Sequence, residues 1–321
     1  MRRPAGAVVP ATLAALAAGA GVAAQTSING HASVAVGSPV YATAINHGSA
    51  LVLALLVAVV TGAVPRALRR LRAGVVPLRR WWFLGGAMGY VAVLAIVIVT
   101  PEVGVVTVAV AITLGQLAGS VMADSWNLGP GGRRSLTPLR AAGLAVAVIA
   151  VLVGAFGRFD PANVAVVPVV VVAGIIVAIQ QAANGWVVVA TGEFAAMSVI
   201  NFATSGVLAV IGLLIANAID PIDFAAVPAW APLGGAVGAV VGVVTAVTVR
   251  TIGVLSVIMC VAAGQAIASL ALDLLIPVDA MGLTGASVVG AALAVAAVAL
   301  AGLGAVSLPR RRGAADPGEA T

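Results

Sequence analysis

Apolar residues run along this chain in unbroken stretches of about 20, separated by short segments that carry Arg, Pro, Gly and acidic residues. Such a stretch, coiled as a helix, crosses a hydrocarbon layer about 30 Å thick. Ten spans are predicted: 8–30, 39–64, 81–100, 104–124, 139–157, 164–186, 195–217, 229–249, 253–275 and 284–307. A membrane barrel would instead alternate apolar and polar residues over segments of about 10. The expected fold is an all-α polytopic membrane protein. The first span follows Met1-Arg2-Arg3 and includes Val22-Ala23-Ala24, as a cleaved signal peptide would. Its segment recurs in mid-chain, however, and an internal copy cannot be a signal peptide.

That recurrence organises the whole chain. Leu84-Gly85-Gly86-Ala87-x-Gly89-x-Val91 returns as Leu233-Gly234-Gly235-Ala236-x-Gly238-x-Val240. The offset of 149 continues without a gap through Gly104/Gly253, Gly115/Gly264, Gln116/Gln265, Ser120/Ser269 and Asp124/Asp273. At an offset of 155 the earlier matches are Gln25/Gln180, Asn29/Asn184, Gly30/Gly185, Gly37/Gly192 and Asn46/Asn201. Matching polar residues at identical spacing are not a by-product of a composition dominated by Ala, Val and Gly. The halves are 5–157 and 162–307, five spans each. Five is odd, so the second copy is expected to insert upside down, giving ten transmembrane helices as two inverted five-helix repeats. Inverted repeats characterise alternating-access transporters, with substrate near the midplane between them.

Composition excludes the soluble classes. The chain is 62% hydrophobic and 8% charged, with a mean hydropathy of +1.19, whereas a soluble globule carries about 25% charged residues. Its pI of 11.2 would suit a nucleic-acid binder, but all 16 basic residues are Arg and lie in short connections and at the termini. With the N-terminus inside, Arg2, Arg3, Arg66, Arg69, Arg70, Arg72, Arg79, Arg80, Arg133, Arg134, Arg140, Arg250, Arg310, Arg311 and Arg312 all fall on the cytoplasmic side. Only Arg158 falls outside, beside Glu102, Asp160, Asp220, Asp223 and Asp279. Both termini are therefore expected in the cytoplasm, with 308–321 a disordered tail.

Polar residues inside a membrane usually face the bundle interior. Gln116, Ser120 and Asp124 share a stripe of the fourth span, and Gln265, Ser269 and Asp273 repeat it on the ninth. Two readings stay open for the Gln and Ser residues: interhelical hydrogen bonds, or the lining of a substrate cavity. Gln25 and Asn29 share a face of the first span, as Gln180 and Asn184 do on the sixth. Asn29 and Asn184 could equally be C-terminal caps before Gly30 and Gly185, but Asn46 and Asn201 lie well inside their spans. Asp124 and Asp273 end their helices, as solvated interfacial groups or as proton- or cation-responsive coupling groups. The absence of an acid at the centre of any span makes neutral or zwitterionic metabolites a better substrate expectation than cationic drugs. His31 and His47 face Trp186 and Phe202 in the repeat register, and with one distant Cys they cannot supply a metal's three or four ligands. Trp81, Trp82 and Trp230 fit an interfacial belt. The fifth and tenth spans carry no Gln, Asn, His or acid and are expected at the periphery. In the inverted arrangement, Gln25, Asn29, Asn46 and Gln265 would form one gate and Gln180, Asn184, Asn201 and Gln116 the other.

A span with Gln-x3-Asn, a second with an early Asn, then Trp81-Trp82-x-Leu-Gly-Gly, then Gly-Gln-x3-Ser-x3-Asp and Leu136-Thr137-Pro138 together resemble the YdcZ-type inner-membrane exporters. These belong to the drug/metabolite transporter superfamily, with its DMT/EamA-like fold. The pattern occurs twice, so the chain resembles a fused pair of five-helix units. In the second copy Arg250 stands where Pro101 does, and the Thr-Pro step becomes Thr284-Gly285. The resemblance implies transport of a small molecule, not enzyme catalysis, in a bacterial cytoplasmic (inner) membrane. It implies no cofactor, and its partners are a small-molecule substrate and the lipid bilayer, with no nucleic acid; a homodimer stays open. The competing reading is the membrane subunit of an ABC importer. Such a subunit needs a sizeable cytoplasmic coupling helix, and the Pro65–Arg80 connection is short and Arg-rich.

Overall fold

Val and Gly are weak helix formers in water, yet the chain is built from helices. In hydrocarbon each segment must satisfy its own backbone N–H and C=O groups, which overrides intrinsic propensity. The computed structural model describes residues 8–74, 76–130, 136–155, 161–221, 227–252, 254–276 and 284–306. In chain order the helices are α1 (Val8–Val36), α2 (Pro39–Val60), α3 (Ala63–Arg72), α4 (Gly85–Ser125), α5 (Pro138–Ala155), α6 (Pro161–Thr191), α7 (Phe194–Ile219), α8 (Leu233–Ile252), α9 (Val254–Leu275) and α10 (Gly285–Val306). A short 3-10 turn, Arg80–Leu84, leads into α4. Five helical stretches are long and apolar enough to cross a membrane: 9–36, 39–60, 80–125, 166–191 and 194–219. Shorter apolar stretches lie in α5, α8, α9 and α10. The tail expected at 308–321 lies outside the described residues.

The third and fourth expected spans are not separated by a loop. Both belong to α4, whose helical geometry breaks at Gly104 (φ 78°, ψ 164°), three residues after Pro101. The chain nevertheless reverses there. In the first arm, 85–103, Gly85 lies against Asn184 and Gly89 against Gln180, so this arm runs antiparallel to α6. In the second arm, 105–125, Gly115 lies against Val171 and Gly174, and Gly119 against Ile175 and Ala178. That arm runs parallel to α6. Pro101 lacks an N–H and Gly104 takes a positive φ that a side chain would disfavour, so a turn of almost no length suffices.

The second arm starts with N–H groups that have no partner in their own helix. Asp273, at the end of α9, supplies one: its Oδ1 accepts from Val105 N–H (3.1 Å) and its Oδ2 from Val106 N–H (2.9 Å). The carboxylate is 1% exposed. This corrects the expectation of an interfacial, solvated carboxylate at this position, because the residue caps a helix in the other half of the chain. Asp124 is half-buried and also has a partner.

The two halves interlock through glycines. Gly234 lies against Asn29, Gly235 against Asn46 and Gly238 against Gln25, just as Gly85, Gly86 and Gly89 lie against Asn184, Asn201 and Gln180. Each partner pair is related by the offsets of 149 and 155 read from the sequence. These GxxxG stripes are packing seams inside the chain, where a missing Cβ lets helices approach closely. α5 and α10 pack on each other at one side, sharing a cluster of Ala150, Ala291 and Ala294 with Val106 and Val110 of α4.

One end of the bundle is rich in Arg. There α3 carries Arg66, Arg69, Arg70 and Arg72 beside apolar Val64 and Leu68. Arg66 makes a two-pronged ion pair with Glu193, which precedes α7 (Nε–Oε1 2.5 Å, Nη2–Oε2 3.1 Å). Its hydrogen bond to Glu193 holds the guanidinium above its ordinary pKa. The two side chains are 45% and 24% exposed, and exposed pairs contribute little. Glu193→Gln is therefore expected to leave the melting temperature in detergent unchanged; a clear drop would show that the pair clamps α3 to the α6–α7 turn. Trp82 departs from the interfacial-belt expectation: it is 3% exposed and stacks on Trp186 at 4.9 Å with planes 4° apart.

Candidate functional site

α1, α2, both arms of α4, α6, α7, α8 and α9 surround a central cavity of about 300 Å³. None of the described residues of α5 or α10 lines it, as the lack of polar residues in the fifth and tenth spans led us to expect. Its polar surface comes chiefly from nine carboxamides: Gln25, Asn29, Asn46, Gln116, Gln180, Gln181, Asn184, Asn201 and Gln265. Eight of them form four pairs related by the repeat offsets, Gln181 being the ninth, and helical spacing explains the convergence. Gln25 and Asn29 are one turn apart on α1, as Gln180 and Asn184 are on α6, so each pair presents a single face.

The carboxamides are wired in two similar sets. Gln25 Nε2 donates to Asn46 Oδ1 (3.1 Å), and Gln180 Nε2 donates to Asn201 Oδ1 (3.1 Å). In the first set Asn29 Nδ2 adds a second bond to Asn46 Oδ1 (3.1 Å). α1 continues to Val36 and α6 to Thr191, so Asn29 and Asn184 are interior helical residues and not the caps that the sequence left open. The glycines at Gly37 and Gly192, both with φ 70°, do end these helices. Gln116 and Gln265 have no hydrogen-bond partner among the described residues although both face the cavity.

Ser120 and Ser269 do not reach the cavity. Their hydroxyls bond back to Leu117 O (2.8 Å) and Ala266 O (2.9 Å) in their own helices, and Ser269 is fully buried. Shared helical spacing placed them on the Gln stripe but could not reveal where each hydroxyl turns. The lining also includes residues the sequence reading passed over, Thr26, Gln181, Ser198 and Thr245 among them; Gln181 adjoins Gln180, but nothing in the repeat singled it out. His47 sits at the centre, its ring 5.4 Å from Tyr90 and 6.4 Å from Phe202, with Nδ1 2.9 Å from Thr43 O. His47 and Phe202 are partners in the repeat register, so the two copies meet at this ring contact.

The two ends of the cavity differ. Asn29, Asn46 and Gln265 are 3%, 2% and 3% exposed, whereas Asn184, Asn201 and Gln116 are half-buried. At the end away from the arginines, Ala32, Ala42, Val97 and Ala231, with Ile45 and Val93, form an apolar plug joining α1, α2 and the first arm of α4. Its counterpart at the Arg-rich end contains Trp82, Val187 and Met197, with Trp186, Phe194 and Ile200. There the position equivalent to Val93 is Gly242, which brings no side chain to close that end, although Trp82, Val187 and Met197 stand where the plug has Ala231, Ala32 and Ala42. Phe194 faces Gly242 across it.

The comparisons with known proteins agree with this architecture. A crystal structure of a protein with 17% sequence identity superposes with a TM-score of 0.58, over 94% of this chain and 100% of the other; at that identity the likeness concerns the fold alone. No curated protein matches the chain. The family described as "Putative inner membrane exporter, YdcZ" matches it twice, over residues 10–153 and 165–300. Two matches of about equal length, one in each half of the chain, make the assignment: this chain belongs to the YdcZ family of inner-membrane exporters of the drug/metabolite transporter superfamily, in a two-repeat form.

Proposed function

We propose that this chain is a secondary transporter that exports a small molecule by alternating access, its two five-helix repeats inserted in opposite orientations with the Arg-rich end in the cytoplasm. One observation carries the reading: eight carboxamides, in four pairs related by the repeat, converge with Gln181 on one membrane-embedded cavity, and Gln116 and Gln265 have no protein partner among the described residues. Buried polar groups in folded proteins are nearly always paired, so unpaired amides facing a cavity are suited to a solute. The ABC-importer alternative has no support from the family match, and α3 spans only 10 residues.

In this reading the cavity faces the cytoplasm. The set around Asn46 is packed shut behind the Ala32–Val97 plug, and the set around Asn201 is the accessible one. The outward-facing state exchanges these roles: α8 closes on α6 and α7, and the first arm of α4 withdraws from α1 and α2. Matched carboxamides line both gates, which favours two states close in energy, as a transport cycle requires.

Counterflow in vesicles tests transport itself, since a passive channel cannot drive it and a non-transporter gives none. For the gates, cysteines at 184 and 29 in a Cys260→Ala background should differ: the first labels from the cytoplasmic face and the second is protected. Phe194→Ala, which removes the ring facing Gly242, is expected to increase labelling at 184 severalfold without exposing 29. Labelling of 29 before 184 would reverse the assigned state.

A further inference from the structure

We infer that the cavity selects an uncharged solute bearing hydrogen-bond donors and acceptors at both ends, of monosaccharide-to-nucleoside size, and rejects cations, anions and zwitterions. This rests on the transporter reading and adds the substrate class. The argument is an inventory of free valences. Asn46 Oδ1 already accepts from Gln25 and Asn29, which leaves Asn46 Nδ2 and Gln25 Oε1 without protein partners among the described residues. At the other pole Asn201 Nδ2 and Gln180 Oε1 are left in the same state. Asn29 Oδ1 is also unpaired but lies against Gly234, while Asn184, Gln116 and Gln265 keep both amide atoms free among the described residues. Donors and acceptors are thus offered side by side and in similar number.

A hydroxyl or a cyclic amide has that same dual character, whereas an ammonium only donates and a carboxylate only accepts. The near-symmetry of the poles favours a solute that presents such groups at both ends. None of the described lining residues is Asp, Glu, Lys or Arg, and the lining His47 is 3% exposed with Nδ1 turned to Thr43 O. An ion entering the cavity would give up its water without meeting a countercharge, a cost that hydrogen bonds to neutral amides do not offset. The carboxylate at the far end of the α9 stripe is not available either, since Asp273 holds the N–H groups of Val105 and Val106. Phe194 and Phe202 add an apolar flank against which the face of a sugar or base ring can rest.

The test uses the purified full-length protein and six probes at millimolar concentration: mannitol, glucose and uridine as neutral solutes, tetraphenylphosphonium, benzoate and alanine as the three ionic types. Binding is read by thermal shift and by equilibrium dialysis of labelled probe. At least one neutral probe should bind, about tenfold more weakly to Gln116→Ala or Gln265→Ala, as expected for one lost hydrogen bond, and the ionic probes should not. Should either alanine variant fold poorly, Gln265→Glu keeps the shape and adds a charge. It is expected to lose the neutral probe and gain tetraphenylphosphonium. Binding of an ionic probe to the wild-type protein with sensitivity to either Gln, or binding of no neutral probe, would overturn the class. Counterflow separates this from the transport reading. A neutral probe that binds without counterflow defeats transport and leaves the class standing; tetraphenylphosphonium counterflow abolished by Gln265→Ala does the reverse.

Discussion

Asp273→Ala is expected to destabilise the protein by roughly 2–6 kcal/mol, the sum of two buried N–H groups left without an acceptor at about 1–3 kcal/mol each. Val105 and Val106 are fully buried and the carboxylate is 1% exposed, so water cannot replace the lost bonds cheaply. Asp273→Asn keeps one carbonyl oxygen and should fall between the alanine variant and wild type. Thermal unfolding in detergent, followed by size-exclusion fluorescence, reads the order directly. The same pair of variants decides between a cap and a coupling group. A cap predicts that stability and transport fall together in Asp273→Ala, with partial recovery of both in Asp273→Asn. A coupling carboxylate predicts an Asp273→Asn protein as stable as wild type but inactive. A melting temperature for Asp273→Ala equal to wild type would remove the capping role.

Gly86→Ala and Gly235→Ala come next in size. A Cβ at Gly86 would run into the backbone carbonyl of Asn201 and the hydroxyl of Thr204; at Gly235 it would meet the carbonyl of Asn46 and the hydroxyl of Ser49. A backbone carbonyl cannot rotate away as a side chain can, so the helices must separate. Overpacking of this kind costs about 1–3 kcal/mol, and each change also tears at a carboxamide of the cavity. Gly48→Ala is the control: nothing lies within 4 Å of its Cβ position, and alanine gains about 1 kcal/mol in helix propensity over glycine. Folded yield should drop for the two seam variants and hold or rise for the control. Equal yields for all three would mean that α2 and α7 are not seated on these glycines.

The parts of the fold and cavity that were legible in the sequence are those fixed by repetition. Gln25 and Gln180, Asn46 and Asn201, and the paired Leu-Gly-Gly-Ala motifs keep their spacing because each copy meets the same neighbours, so their offsets encode contacts before any coordinates are known. The empty sides of α5 and α10 were legible for a simpler reason: helices without polar side chains have little to give a polar cavity. Hydroxyl and carboxylate roles were not legible. Ser120 and Ser269 sit at the right spacing, but whether a serine points outward or back to its own helix depends on the packing around it. Asp273 looked like a surface group because it ends its helix, and only the break at Gly104 shows what it has to cap. Trp82 likewise sits at the start of a span, where a belt residue belongs, and nothing local announces that Trp186 lies flat against it.

The cap formed by Asp273 on Val105 and Val106, together with the seams of Gly234 and Gly238 on Asn29 and Gln25, bears on how such a chain can be divided. The second repeat lends the first a helix-end acceptor, and each lends the other the flat faces on which its amides lie, so neither repeat is expected to fold by itself. A gene cut within codons 156–160 would yield two fragments that are degraded when made singly and restore one another when made together. On the proposed inverted arrangement, a half-length protein of this kind would persist only by finding a second copy in the opposite orientation, and joining the two halves in one polypeptide would remove the need for that dual insertion.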